Sequence, residues 1–359
     1  MDDLTALRTA LDGTDPAAGA VPAPAARRRA RAHAIARLGE TPVTRPLWKR
    51  VPVLVAGAAA AALAVGAGTL LLPADEPGGI PVAYAAPPEP IEVVGGDPVD
   101  GADRLLALAE VTRDRGAAPG EGGVAFVSTS GTQLIRLTAN AGDDDPEETH
   151  GYRYVPYDWA EWTAPGGEYR HDSHPRPPLE SGGEERDHEA FLDQGSTSVE
   201  DTLHPSLVWP EELPTEAAGM EEVLADLGED PADATPAGLV NAMRVLYGAR
   251  PLTGPEEAAV QRVLAGIGGV EYLGSATDPL GREGELFSLE VEDVGSVSEY
   301  RYLYDAEDGS LLYRDTTLLE EDPEYGRAED YGLAYPLPAE QVSYVWSGWV
   351  DEIGERPAE

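Results

Sequence analysis

The chain contains no cysteine and a single lysine, Lys49. The first absence removes disulfides, zinc-thiolate sites, thiol nucleophiles and a lipidated N-terminal cysteine together. The second removes a phosphate-binding P-loop, a serine-lysine pair and a Schiff-base lysine from everything beyond residue 50. No serine stands in a G-x-S-x-G elbow and no H-E-x-x-H occurs, so the familiar hydrolase and metalloprotease signatures are missing as well. Acidic residues are too numerous, 66 in all, for any one pair to mark a glycosidase. The sequence therefore points to a non-enzymatic protein without cofactor or metal.

Basic residues are also scarce, and they are unevenly placed. Nine of the 25 Lys/Arg but only five of the 66 Asp/Glu precede residue 51, leaving 16 and 61 beyond it. A field so negative repels nucleic acid and anionic headgroups, which excludes nucleic acid as a partner of the large C-terminal region.

The boundary between the two charge regimes is an uncharged run of 22 residues, 51–72. As a helix it reaches roughly 33 Å, enough for a hydrocarbon core of about 30 Å. Pro52 falls in the first turn, where it breaks no hydrogen bond. Arg45, Lys49 and Arg50 flank the run on one side, Asp75 and Glu76 on the other. The excess of positive charge then places the N-terminus in the cytoplasm and the acidic region outside the plasma membrane. Ala83-Tyr84-Ala85 has the form of a signal-peptidase site. It lies about a dozen residues beyond the apolar run, and the leader is longer than an ordinary n-region, so a retained anchor is the expectation. Ala58, Ala62 and Gly66 form a small-residue stripe on which two such helices can associate as a homodimer.

The expected organisation is a basic arm over 1–50, a transmembrane helix over 51–72, a Pro/Gly-rich linker over 73–100 and an acidic domain over 101–359. In the arm, Leu4, Leu7 and Leu11 share one helix face and make a docking face for a cytoplasmic partner. In the domain, residues 103–113 have helical spacing, and strand signals follow at 123–128, 133–138, 152–163 and 168–172. The first two read as a hairpin about Ser130-Gly131 or as one long strand. Residues 173–212 read as a long loop. Three helices come next: 216–227, one opened by Thr235-Pro236, and one opened by a Thr253/Glu256 capping box and closed by Gly268-Gly269. Strands resume at 270–274, 285–292, 299–304, 311–318 and 341–351, with Asp308-Gly309 as a tight turn. This is an α+β order, a mostly antiparallel sheet with about four helices on one face.

Five of the six histidines lie between 150 and 204, and His171-x-x-His174 has two potential ligands running into Pro175. Asp305, Glu307 and Asp308 before Gly309 miss the calcium-loop spacing by one residue. Neither is read as a metal site. Tyr300, Tyr302 and Tyr304 alternate on one strand face, and Trp159 and Trp162 lie on another strand; these five are the candidate ligand face for an apolar or sugar ligand.

Leu213-Pro214-Thr215 before a helix, Gly268-Gly269-Val270-Glu271, Tyr304-Asp305 through Asp308-Gly309-Ser310-Leu311-Leu312, and Val82-Ala83-Tyr84-Ala85-Ala86 after an Ala-rich span occur in a particular order. That order resembles an uncharacterised family of actinobacterial single-pass membrane proteins, anti-sigma-factor-like in architecture and often linked to extracytoplasmic-function sigma factors. The resemblance implies an extracytoplasmic binding or sensing protein that regulates a sigma-factor-like partner, and a fold similar to the LolA and RseB group. The alternative is a structural envelope protein or a carrier of an apolar lipid ligand without signalling. The absence of cysteine excludes the His/Cys zinc arm found in many anti-sigma factors.

Overall fold

The computed structural model describes residues 87–357 except 96, 140–147, 177–196, 203–211, 227–234, 294 and 322–332. The arm, the apolar run and most of the linker lie outside these residues, and with them Leu4, Leu7, Leu11, Arg45, Lys49, Arg50, Ala58, Ala62 and Gly66. No described helix is long and apolar enough to cross a membrane.

The described chain is an α+β domain of one antiparallel sheet of 11 strands with four helices. Strands β1 (Val93–Val94) and β2 (Val99–Asp100) fall within the stretch expected as linker, and both pair with β7. Helix α1 (Ala102–Arg113) leads into a meander of β3 (Val124–Ala139), β4 (Glu148–Thr163), β5 (Glu168–Pro175) and β6 (Thr197–Thr202). Helices α2 (Ala217–Asp226), α3 (Pro236–Ala249) and α4 (Gly254–Ile267) follow. A second meander closes the chain: β7 (Val270–Thr277), β8 (Glu283–Asp293), β9 (Ser296–Tyr304), β10 (Leu311–Glu321) and β11 (Leu337–Val350). The last strand of the second meander pairs with the first of the other, β11 with β3, so one continuous sheet is built from two local units.

The two segments expected at 123–128 and 133–138 form one long strand, Val124–Ala139, not a hairpin. Once β11 and β4 pair along both its edges, Ser130-Gly131 is held in extended backbone. The expected loop over 173–212 is interrupted by β6, which completes the β5 edge. The alternation of polar and β-branched residues in Thr197–Thr202 is short enough to be hidden among its Pro/Gly/Glu-rich neighbours.

The helix starts follow sequence chemistry. Thr235 caps α3 through Gly238 N, and Thr253 and Glu256 form a reciprocal capping box on α4. Such a cap contributes about 1 kcal/mol. Helix α4 is buried on nearly every side, packed by α1 and α2 as well as the sheet. All four helices share one apolar cluster with Phe287, Leu289 and Val291 of β8, Tyr302 and Tyr304 of β9, and Val342 and Tyr344 of β11. On the far face of the sheet, Leu286, Leu303, Leu312 and Tyr313 are covered by Ile91. Strand β8 is therefore buried on both sides, which its apolar run requires.

Helix α3 touches β3, β4 and β8, the outer two standing five places apart in the sheet. Five strand spacings make roughly 24 Å, against roughly 21 Å for a helix of this length. Helix α3 accordingly lies across the strands. Bulges at the β7/β8, β9/β10, β10/β11, β11/β3 and β3/β4 pairings add bend and twist to the sheet around it.

Candidate functional site

The helix-facing side of the sheet beneath α3 collects tyrosine. Even spacing on β9 brings Tyr300, Tyr302 and Tyr304 to this side, and the Tyr302 and Tyr304 rings stack at 6.3 Å. The register then decides what stands beside them. One row across the strands runs Tyr302, Arg314, Val342, Gly131, Tyr157, and the next runs Tyr300, Thr316, Glu340, Gln133, Val155. A third runs Tyr344, Thr129, Trp159, Ser173.

Within these rows the contacts are specific. Tyr157 and Trp159 stack with centroids 3.8 Å apart. The Trp159 indole N–H donates to Ser173 Oγ at 3.1 Å, and the Tyr157 hydroxyl donates to Gln133 Oε1 at 3.3 Å. His171 meets the Trp159 ring edge-on at 5.6 Å, with its Nδ1 3.7 Å from Glu161 Oε2. From above, α3 contributes Tyr247, whose ring lies 6.1 Å from that of Tyr344.

The polar centre of this layer is Arg314. Its guanidinium binds Glu340 through Nη1 to Oε2 and Nη2 to Oε1, and its Nε donates to the Tyr344 hydroxyl at 3.2 Å. Both members of the pair are buried. Burial by itself would raise the Glu340 carboxyl, but Arg314, and after it Arg244 of α3, bring it below the usual glutamate range. Burial raises the phenols of Tyr157, Tyr247, Tyr302, Tyr304 and Tyr344, and takes Tyr300 to about 12. The layer is thus neutral phenol at physiological pH, able to donate hydrogen bonds but not to act as phenolate. Tyr247 and Tyr304 stand close to each other and to Glu257, yet among the described residues neither hydroxyl makes a hydrogen bond of good geometry.

The five candidate ligand residues are divided by the fold. Tyr300, Tyr302, Tyr304 and Trp159 share the helix-facing side. Trp162, an odd number of residues from Trp159, points to the opposite face, as strand alternation requires. There it stacks on Phe126 at 4.8 Å and donates its indole N–H to the Glu355 carbonyl at 2.6 Å, beneath the C-terminal segment. The same alternation separates His171 from His174, which therefore cannot share a metal ion. The described residues contain no group of three or more metal-ligating side chains.

Arg314, Glu340 and Arg244 escape a reading of the sequence. Arg314 and Glu340 are 26 residues apart on different strands, and no local spacing links them. The available signal was the alternation of Glu340, Val342 and Tyr344 on β11, which matches that of Tyr300, Tyr302 and Tyr304.

No family model and no curated protein matches the chain. Its fold bears a weak similarity to lipoprotein-sorting domains of the LolA superfamily. A LolA superfamily protein of Nitrosomonas europaea is 9% identical, with a TM-score of 0.17, over 70% of this chain and 94% of that one. A structure assigned as an outer membrane lipoprotein-sorting protein domain of Vibrio parahaemolyticus is 7% identical, with a TM-score of 0.19, over 68% and 92%.

Proposed function

We propose that this is a ligand-holding domain of the cell envelope, carried outside the membrane on the apolar run 51–72, and that its ligand has an apolar body. One observation carries the reading. The layer beneath α3 holds buried Tyr302, Tyr344 and Tyr157 and carries half-buried Trp159 and Tyr300 at its margins. Aromatic surface at the margin of a core offers an apolar molecule flat area with few rotamers to fix. Neutral phenols and the Arg314–Glu340 pair lie within the same layer to orient a polar end. A carrier or sensor role follows from this more directly than catalysis does, because Glu340 within the layer and Glu257 beside it are each paired with arginine.

The test is mass spectrometry of the organic extract of full-length protein purified from membranes. We expect an apolar-bodied compound in near-equimolar amount, depleted several-fold in a Trp159→Ala/Tyr300→Ser variant that keeps its circular dichroism. Absence of any such compound from the wild type, or equal amounts in wild type and folded variant, would overturn the reading.

A further inference from the structure

Arg244 distinguishes itself from the other arginines of this acidic chain. Every other arginine whose side chain is among the described residues has a carboxylate oxygen within 3.9 Å. Among the described residues, Arg244 makes no ion pair. Its Nε and Nη2 share a single neutral acceptor, Asn241 Oδ1, at 3.2 and 3.1 Å. A guanidinium has five N–H donors in a planar fork, so most of its donor capacity is unused.

Its position makes this informative. Arg244 shares the sheet-facing side of α3 with Val240, four residues before it, and Tyr247, three after, both buried in the helix–sheet cluster. It is close enough to Glu340, Tyr157, Tyr300 and Tyr344 to act on their ionisation. It is half-buried, whereas Arg314 and Glu340 are fully enclosed. The polar centre thus holds the Arg314–Glu340 pair with a second guanidinium, that of Arg244, beside it. In a chain of net charge −41, Arg244 is the one arginine with a described side chain that makes no ion pair among the described residues, and it stands beside apolar rings.

We infer that Arg244 is the head-group receptor of the site, and that the ligand is an apolar chain or ring system ending in a carboxylate. This rests on the ligand-holding reading above. A planar carboxylate matches the guanidinium fork of Arg244 in a two-bond pairing. The half-buried setting strengthens that pairing relative to water, and the half-buried Tyr300 ring, close to Arg244, receives the apolar body alongside.

The test is a titration of full-length protein in nonionic detergent with decanoate and, separately, with decanol, followed by tryptophan fluorescence. Wild type should bind decanoate about tenfold more tightly than decanol, as a charge-assisted pair is worth over a neutral one. Arg244→Gln should lose that preference while still binding decanol, with melting temperature unchanged; Arg244→Lys, which keeps the charge but not the fork, should retain part of it. Equal binding of decanoate and decanol by wild type, or an undiminished preference in folded Arg244→Gln, would overturn the head-group assignment and leave the apolar reading standing. Binding of neither probe by wild type would overturn both. Preference for vesicles of phosphatidylglycerol over decanoate would also overturn the carboxylate assignment.

Discussion

Arg314 of β10 and Glu340 of β11 form a buried ion pair on the helix-facing side of the sheet, reached diagonally across the ladder, since Arg314 stands opposite Val342 and Glu340 opposite Thr316. Breaking such a pair is worse than deleting it. Glu340→Ala leaves a buried guanidinium uncompensated and should cost about 3–5 kcal/mol. Arg314→Met combined with Glu340→Leu should cost much less, because no charge remains in the interior. Urea unfolding of the three proteins checks this, and a double variant weaker than the single would contradict it.

Acid should release the same pair. Glu340 has a folded pKa below its unfolded value of about 4.3. Its contribution is complete above that value and is lost as pH falls through the folded pKa. Between wild type and the Arg314→Met/Glu340→Leu variant, the slope of stability against pH should therefore differ below about pH 5 and not above it. Differential scanning calorimetry from pH 3 to 7 reads the difference.

Glu299 of β9 has the opposite sign. Burial raises its carboxyl; Arg301 opposes this, and Asp315, Glu271 and Glu290 add to it. A carboxyl raised in the folded state binds more protons there, so its cost to stability grows as pH climbs from the ordinary glutamate range through the folded pKa. Glu299→Gln should raise the melting temperature at pH 7 by a degree or two, on the order expected for a half-exposed group. The gain should vanish near pH 4, where both forms are neutral.

Gly309 ends the Asp308-Gly309 turn with φ +71, and a Cβ there would stand 1.8 Å from Thr112 Oγ1 of α1. Its carbonyl also accepts from Gln261 Nε2 of α4 at 2.8 Å. Gly309→Ala should destabilise by more than the ~1 kcal/mol of a backbone effect alone. Gly281 has φ +83 and open space around its Cβ position. Gly281→Ala measures the backbone cost by itself, and equal losses at the two sites would show that the turn does not press on α1.

The charge asymmetry about residues 51–72 predicts topology. Protease added to intact protoplasts should remove the acidic domain and leave a short protected fragment containing Lys49, identified by mass spectrometry. Protection of the whole chain would exclude an external domain.

Local chemistry was enough for several features. The capping box at Thr253 and Glu256 and the one-sided placement of Tyr300, Tyr302 and Tyr304 each depend on contacts within a few residues, or on the two-residue strand period. The α+β order followed from the same periodicities. Tertiary structure decided the rest. Whether Ser130-Gly131 turned or stayed extended depended on β11, more than 200 residues later in the chain, arriving to pair with β3. Whether Trp159 and Trp162 worked together depended on which face of the sheet the helices covered. Arg314, Glu340 and Arg244 came together only through the register of β10 with β11 and the path of α3 across the strands. A sequence carries spacing along one chain, whereas a buried charge centre is a relation between strands, and it exists only once the sheet has closed its register.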